Sequence, residues 1–167
     1  MKGSKKGEIT VFSIPEKSYA SKMKDIVASM SSSYGRICFV SVSKPYSSAL
    51  ESVKKYGADP KKFFFVDCTE SRVQETGQVV NVSSPKALTE MNITINKVID
   101  LGKIEALIFD SLSTVLVYSD TSTVVKFSNS LISSLRSKKV AAALICIEGG
   151  KNAELVKDIS MFADGVS

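Results

Sequence analysis

Short apolar runs alternate with amphipathic stretches along the whole chain, and this pattern predicts its secondary structure. Continuous apolar runs of strand length predict five β-strands, at residues 8–14, 36–43, 62–68, 104–109 and 140–147. Apolar positions that recur every three to four residues predict helices between them, which begin near Pro15, Pro45 and Pro85 and later cover residues 122–137 and 152–162. Residues 79–82 are typical of a short extended piece, and residues 163–167 of the start of a sixth strand.

The alternation of strands and helices predicts an α/β fold, a three-layer parallel sheet with helices on both faces. The run at residues 104–109 has no polar alternation before Asp110, which indicates a central strand buried on both faces. Residues 8–167 are expected to form a single domain, and the basic residues 1–7 a flexible tail.

The composition excludes several classes of function. The chain contains no histidine among its 167 residues, which removes the commonest general base and metal ligand and with it Ser-His-Asp catalysis and zinc hydrolysis. Its 3 cysteines lack metal-ligand spacing and lie in apolar runs, so the sequence predicts buried free thiols and no metal site.

The charge pattern bears on the kind of partner. The formal net charge is +5, but no stacking aromatic residues are interleaved with the basic ones, so nucleic acid is not predicted as a partner. No apolar run approaches the roughly 18 residues of a membrane span, and the first residues lack the apolar core of a signal peptide. We therefore expect a cytoplasmic protein without a membrane partner.

Three motifs resemble RecA-type ATPases, in particular KaiC-like proteins and an archaeal branch of this superfamily implicated in signalling. They are Phe39-Val-Ser-Val-Ser-Lys-Pro-Tyr46, then Leu107-Ile-Phe-Asp-Ser-Leu-Ser-Thr114, which is similar to a Walker B strand, and the terminal Phe162-Ala-Asp-Gly165. The resemblance covers nearly the whole chain. It implies a P-loop NTPase fold in which the five strands are ordered third, second, fourth, fifth, first, with any sixth strand beside the first.

The resemblance fails where such a protein holds its nucleotide, so the Walker A motif is degenerate. The segment after the first strand, Val11-Phe-Ser-Ile-Pro-Glu-Lys-Ser18, keeps the final Lys-Ser pair but has Val11 and Glu16 where the motif needs glycine. Pro15 also lacks an N–H to offer a phosphate. The glutamate that activates water in RecA-type ATPases is absent after the second strand, where Ser43-Lys44-Pro45 stands.

Two hypotheses of function follow. The first is a non-catalytic RecA/KaiC-like domain without a cofactor, which acts as a regulatory or protein-interaction module with a protein partner or as a homo-oligomer. The alternative is a nucleotide-binding protein or weak ATPase, which would hold ATP/Mg²⁺ in a remodelled loop with Lys17, Ser18, Asp110 and Ser111. Under the first hypothesis Asp110 caps the hydroxyl-rich turn that follows it.

The predicted interaction surface lies at the carboxyl edge of the sheet. Residues that follow strands or occupy loops near that edge are Lys44, Tyr46, Arg72 and Tyr118. Arginine and tyrosine combine apolar area with a polar tip, which favours them as binding anchors. We expect all four side chains to be exposed there, and the alternative to a contact surface is ordinary solvent exposure of all four.

Overall fold

The structure is a computed structural model that describes residues 6–167; the first five residues of the predicted tail lie outside the described residues. The elements in chain order are β1 (Ile9–Ile14), α1 (Tyr19–Ser33), β2 (Ile37–Ser41), α2 (Tyr46–Lys55), β3 (Phe63–Asp67), β4 (Val79–Asn81), α3 (Leu88–Gly102), β5 (Ala106–Asp110), α4 (Leu112–Tyr118), α5 (Thr121–Ser137), β6 (Ala141–Ile147), α6 (Lys151–Ser160) and β7 (Gly165–Val166). Short 3₁₀ turns at Glu16–Ser18 and Pro60–Lys62 precede α1 and β3.

The strands form one parallel sheet in the order β4-β3-β2-β5-β6-β1-β7. This confirms the predicted α/β fold and the predicted order of the five main strands. It also confirms that the last strand lies beside the first. The short piece at residues 79–82 becomes the edge strand β4, paired with β3.

Helices bury both faces of the sheet. On one face Phe39, Phe65 and Ile145 pack with apolar residues of α1 and α2. On the other face Val40 and Phe109 pack with apolar residues of α3, α5 and α6, and the Phe109 ring lies 5.8 Å from that of Phe127. Every residue of β5 is buried, as predicted for the central strand.

Two helix starts differ from the sequence prediction. A 3₁₀ turn follows Pro15, and α1 begins only at Tyr19. α3 begins at Leu88 rather than at Pro85, because residues 84–87 first form a turn in which the Ala87 amide donates to the Ser84 carbonyl. The helix ends with Gly102, and the next residue, Lys103, has a left-handed backbone conformation at φ 49°. A Cβ on Gly102 would lie 3.2 Å from the Ile104 side chain, which is a close contact.

Candidate functional site

A hydrogen-bonded tyrosine–aspartate pair lies at the carboxyl end of the central strand of the sheet. β5 ends in Asp110, which is buried, and the hydroxyl of Tyr19 donates a short hydrogen bond to its Oδ2 atom. Tyr19 reaches this position because β1 ends at Ile14 and the 3₁₀ turn follows Pro15 directly, so that α1 begins only five residues later. The segment in the place of a phosphate loop therefore delivers an aromatic side chain onto Asp110.

Lys44 and Tyr56 complete this cluster, which we call the Asp110 cluster (Tyr19, Lys44, Tyr56 and Asp110). The Lys44 ammonium lies 5.2 Å from the centre of the Tyr19 ring, a cation–π distance. The space enclosed by these side chains measures about 10 Å³. That volume suits about one water molecule. The carboxyl end of the central strand is therefore filled by the protein's own side chains.

Burial sets the ionisation of the Asp110 cluster. It raises the pKa of Asp110 above the ordinary value, and the Tyr19 hydrogen bond and the Lys44 charge oppose that shift only in part. The pKa of the Tyr19 hydroxyl is also raised, first by burial and then by the neighbouring charge of Asp110. Burial and the Asp110 charge likewise raise the pKa of Tyr56. At neutral pH Tyr19 is therefore a hydrogen-bond donor.

In the described range the other residues of the nucleotide hypothesis form no hydrogen bond or ion pair with the Asp110 side chain. Lys17 is exposed and Ser18 half-buried in the 3₁₀ turn, where the Ser18 amide donates to the Pro15 carbonyl at 2.8 Å. Within the described chain, the carboxylate of Asp110 pairs with Tyr19 rather than with Lys17, Ser18 or Ser111.

The expectation that Asp110 caps the following turn is wrong, because Ser111 performs that role. The Ser111 hydroxyl oxygen accepts from the Thr114 amide at 3.2 Å and caps α4. Ser113 links α4 to β6, because its hydroxyl oxygen accepts a hydrogen bond from the Ile147 amide at 2.6 Å. The Asp110 carboxylate points instead toward α1, where it accepts the hydrogen bond of the Tyr19 hydroxyl.

A second carboxylate, at the end of β3, organises the neighbouring loop. Asp67 accepts from the amides of Tyr46 (2.9 Å) and Thr69 (2.8 Å) and from the hydroxyls of Thr69 (2.6 Å) and Ser71 (2.7 Å). Burial would raise the pKa of Asp67, but these hydrogen bonds lower it below the ordinary value. Sequence reasoning did not assign this role, although an Asp followed by Thr and Ser is the composition of a polar turn.

The four residues of the predicted surface fall into two pairs. The Lys44 ammonium lies over the Tyr19 ring, and the Tyr46 ring packs edge-on against Phe65 at 5.1 Å, so these two side chains are half-buried rather than fully exposed as expected. Arg72 is exposed after β3, and Tyr118 is 44% exposed at the end of α4, where Val117 is 76% exposed. Arg72 lies in the loop that follows β3 and Tyr118 ends the helix that follows β5, and β2 lies between these two strands.

Metal-ligating side chains are dispersed in the described part of the chain. No group of three or more Cys, Asp or Glu residues within residues 6–167 could hold a metal ion. Cys38, Cys68 and Cys146 are free and buried, and burial raises the pKa of the Cys38 and Cys146 thiols to about 12. Every helix in the described range is too short or too polar to cross a bilayer.

Comparison with solved structures identifies the fold. A KaiC-like protein from the hyperthermophilic archaeon Pyrococcus horikoshii OT3 superposes with a TM-score of 0.69 over 96% of this chain and 70% of that chain, at 16% sequence identity. The fold is therefore RecA/KaiC-like. The sequence itself matches a family of unknown function, DUF7504, over residues 15–166, and the chain belongs to that family. A comparison with curated proteins gives no match.

Proposed function

We propose that this protein is a non-catalytic RecA/KaiC-like domain that acts as a regulatory or protein-interaction module and needs no nucleotide. The observation that carries the proposal is the hydrogen bond from Tyr19 to Asp110. In the resemblance drawn above, Asp110 is the Walker B carboxylate and the segment before Tyr19 is the phosphate loop. The hydrogen bond joins these two parts directly.

The size of the enclosed space supports this proposal. About 10 Å³ remains among the Asp110 cluster, whereas sites for cofactors and drug-sized ligands measure about 300–1,000 Å³. Binding a nucleotide there would require Tyr19 and Lys44 to leave Asp110, and Asp110 would lose its hydrogen-bond donor. Catalysis of phosphoryl transfer depends on groups that position phosphates and metal ions, and in this arrangement Asp110 is instead engaged by Tyr19, with Lys44 placed over the Tyr19 ring.

We place the contact surface of the proposed module at the carboxyl edge of the sheet. It consists of the exposed residues Arg72, Val117 and Tyr118. Val117 and Tyr118 are adjacent apolar side chains on α4, and the hydrogen bond from the Ile147 amide to Ser113 holds that helix to the sheet. An exposed apolar pair on a fixed helix is available to a protein partner without a change in conformation.

Titration with ATP and Mg²⁺, by calorimetry and by thermal denaturation, tests the proposal. We expect no binding heat and a melting temperature that changes by no more than about one degree at millimolar nucleotide. A ligand present at 100 times its dissociation constant would stabilise the protein by about 2.7 kcal/mol, which corresponds to several degrees in a domain of this size.

The matched variants are Lys17→Ala and Lys61→Ala, each of which removes one exposed lysine from a 3₁₀ turn. A shift of several degrees that disappears in Lys17→Ala and persists in Lys61→Ala would overturn the proposal. That result would establish the nucleotide-binding alternative instead.

A further inference from the structure

The β7 edge of the sheet is open. β7 pairs with β1 on its inner side, and in the described chain no strand lies on its outer side. The Ser167 amide donates to Val11 at 2.8 Å, and the Ser167 carbonyl accepts from Ser13 at 2.9 Å. Since backbone groups alternate in direction along a strand, the N–H and C=O of the preceding residue, Val166, point outward.

Exposed apolar side chains flank this edge on the face of α6. Three of the seven large exposed hydrophobic residues in the described range lie within residues 161–166, namely Met161 (82% exposed), Phe162 and Val166 (49%). Val166 stands opposite the buried Val11 in the β1–β7 register, so it lies on the same face of the sheet as Val11. Single exposed apolar residues are ordinary, but a group of them beside an open strand marks an interaction site.

A groove lies on the other face of the same edge. It has a volume of about 760 Å³, and its apolar floor is formed by Phe12 and Ile14 of β1 with Ile26 of α1. A Cβ built on Gly165 would meet nothing within 4 Å, which shows that α1 leaves the face of β7 uncovered. At β7, therefore, both faces of the sheet are incompletely covered, and the outward backbone groups of the strand are also unpaired in the described chain.

We propose that a second copy of this chain covers the β7 edge and forms a two-fold dimer with a continuous sheet. A two-fold axis perpendicular to the sheet pairs β7 with its copy in an antiparallel arrangement and places the two α1 faces on the same side. The two grooves then face each other, and the two Val166 side chains lie together on the opposite face. The outward backbone groups of Val166 gain partners in the same step.

Charge at the groove favours a second copy over an unrelated peptide. Lys22 and Asp25, both exposed on α1, line the groove with opposite charges, and neither forms an ion pair with another described residue. Across a two-fold axis, Lys22 of one copy faces Asp25 of the other, so that both charges are paired. A partner carrying a single sign of charge would leave one of them opposite a like charge.

Sedimentation velocity of the full chain over a concentration series tests the dimer. We expect the unsubstituted protein to change from monomer to dimer as its concentration rises. Val166→Lys, which adds a charge at the open edge, should raise the dissociation constant at least about tenfold. The control variant Leu101→Ser removes an apolar side chain that is 85% exposed on α3, which packs against β2 and β3, and it should leave the dissociation constant unchanged.

Exchanging the charges of Lys22 and Asp25 distinguishes a two-fold dimer from other contacts between copies. Lys22→Asp and Asp25→Lys should each weaken the dimer, and the double variant should restore it, because both intermolecular pairs are then reversed together. The charge exchange tests the proposed dimer even if Val166→Lys fails to fold. A chain that stays monomeric at every concentration overturns the proposal, as does a dimer that Val166→Lys and Leu101→Ser weaken equally or a double variant that is weaker than both single ones.

Discussion

Two buried carboxylates at the same edge of the sheet have opposite environments. Asp110 receives one hydrogen bond in its own cluster, and burial raises its pKa. Asp67 receives four hydrogen bonds, which lower its pKa although burial acts against them. A raised carboxyl pKa means that ionisation opposes folding, and a lowered one means that ionisation favours it. The two residues therefore make contrary contributions to stability at neutral pH.

The same substitution at the two positions should change stability in opposite directions. Asp110→Asn keeps an oxygen acceptor for Tyr19 and removes a buried charge, so we expect a higher melting temperature at pH 7. This gain should shrink as the pH falls and Asp110 becomes protonated. Asp67→Asn should lower the melting temperature at pH 7, because the amide cannot accept all four hydrogen bonds. That loss should shrink as the pH falls through the lowered pKa of Asp67.

Thermal denaturation from pH 3 to pH 8, roughly the range in which carboxylates titrate, measures both effects. Each variant serves as the control for the other, since the change in volume and charge is the same. Loss of stability in Asp110→Asn at pH 7 would mean that Tyr19 and Lys44 stabilise the charged form more than burial penalises it.

At the scale of elements, hydrophobic periodicity was enough to predict the sheet and most of the helices. The apolar runs that became β2, β3, β5 and β6 contain few polar residues, so strand and helix patterns could be distinguished. Interactions between distant residues could not be predicted in this way. Tyr19 reaches Asp110 only because a 3₁₀ turn of three residues sets where α1 begins, and no periodicity specifies that turn.

Tyr46 illustrates the same limit for the predicted surface. Its position after a strand and a proline indicated exposure, but the direction of its ring depends on Asp67, which binds the Tyr46 amide, and on Phe65, against which the ring packs. Both residues belong to another strand. Sequence pattern located the edge of the sheet correctly, and only the packing of that edge separated the buried side chains from the exposed ones.

β7 is another element whose attachment depends on distant residues. The Asp164 carboxylate accepts from the Ile9 amide at 2.8 Å and pairs with Arg136 at 3.0 Å, while Arg136 also donates to the Phe162 carbonyl at 2.5 Å. The Ile9 hydrogen bond is the main reason that the pKa of Asp164 is lowered; burial acts against it, and the hydrogen bond and charge of Arg136 lower the pKa further. These three contacts join α5 and β1 to the residues around β7.

Removing this attachment should loosen β7 while the rest of the sheet stays intact. We expect Asp164→Ala to increase hydrogen exchange at the amides of Ile9, Ser13 and Ser167 and to lower stability by about 1–2 kcal/mol at neutral pH. The stability that Asp164 provides should be lost in the parent as the pH falls through the lowered pKa of Asp164. Arg136→Ala should have a smaller effect, since exposed ion pairs contribute at most about 1 kcal/mol.

Lys138→Ala is the control for this prediction. It breaks the other ion pair seen in residues 6–167, between Lys138 and Asp100, which joins α5 to α3 rather than to β7. Exchange at Ile9, Ser13 and Ser167 should remain slow in this variant. Equal loosening by Lys138→Ala and Asp164→Ala would indicate a general loss of stability and not a specific attachment.

At the scale of the whole molecule, the distribution of apolar surface separates two edges of one sheet. The carboxyl edge presents Val117 and Tyr118, and the β7 edge presents Met161, Phe162 and Val166. The Tyr19 side chain covers Asp110 between these two edges, so both apolar surfaces lie away from the Asp110 cluster. If both proposals hold, a dimer formed through β7 leaves the carboxyl edge of each copy free for the protein partner.

The remaining prediction concerns the carboxyl edge. Val117→Ser combined with Tyr118→Ser should abolish binding of the protein partner while changing the melting temperature by less than about one degree, because both side chains are exposed. Arg72→Ala should weaken binding less, since one solvated charge at the rim of an interface contributes little. The measurement is quantitative cross-linking in the native cells, compared with Leu101→Ser, which removes an exposed apolar side chain on α3. The dimer should persist in the double variant, so loss of the partner and loss of the β7 contact can be told apart by sedimentation. Partner cross-links that survive in the double variant, or that Leu101→Ser reduces to the same extent, would show that Val117 and Tyr118 are not the contact surface.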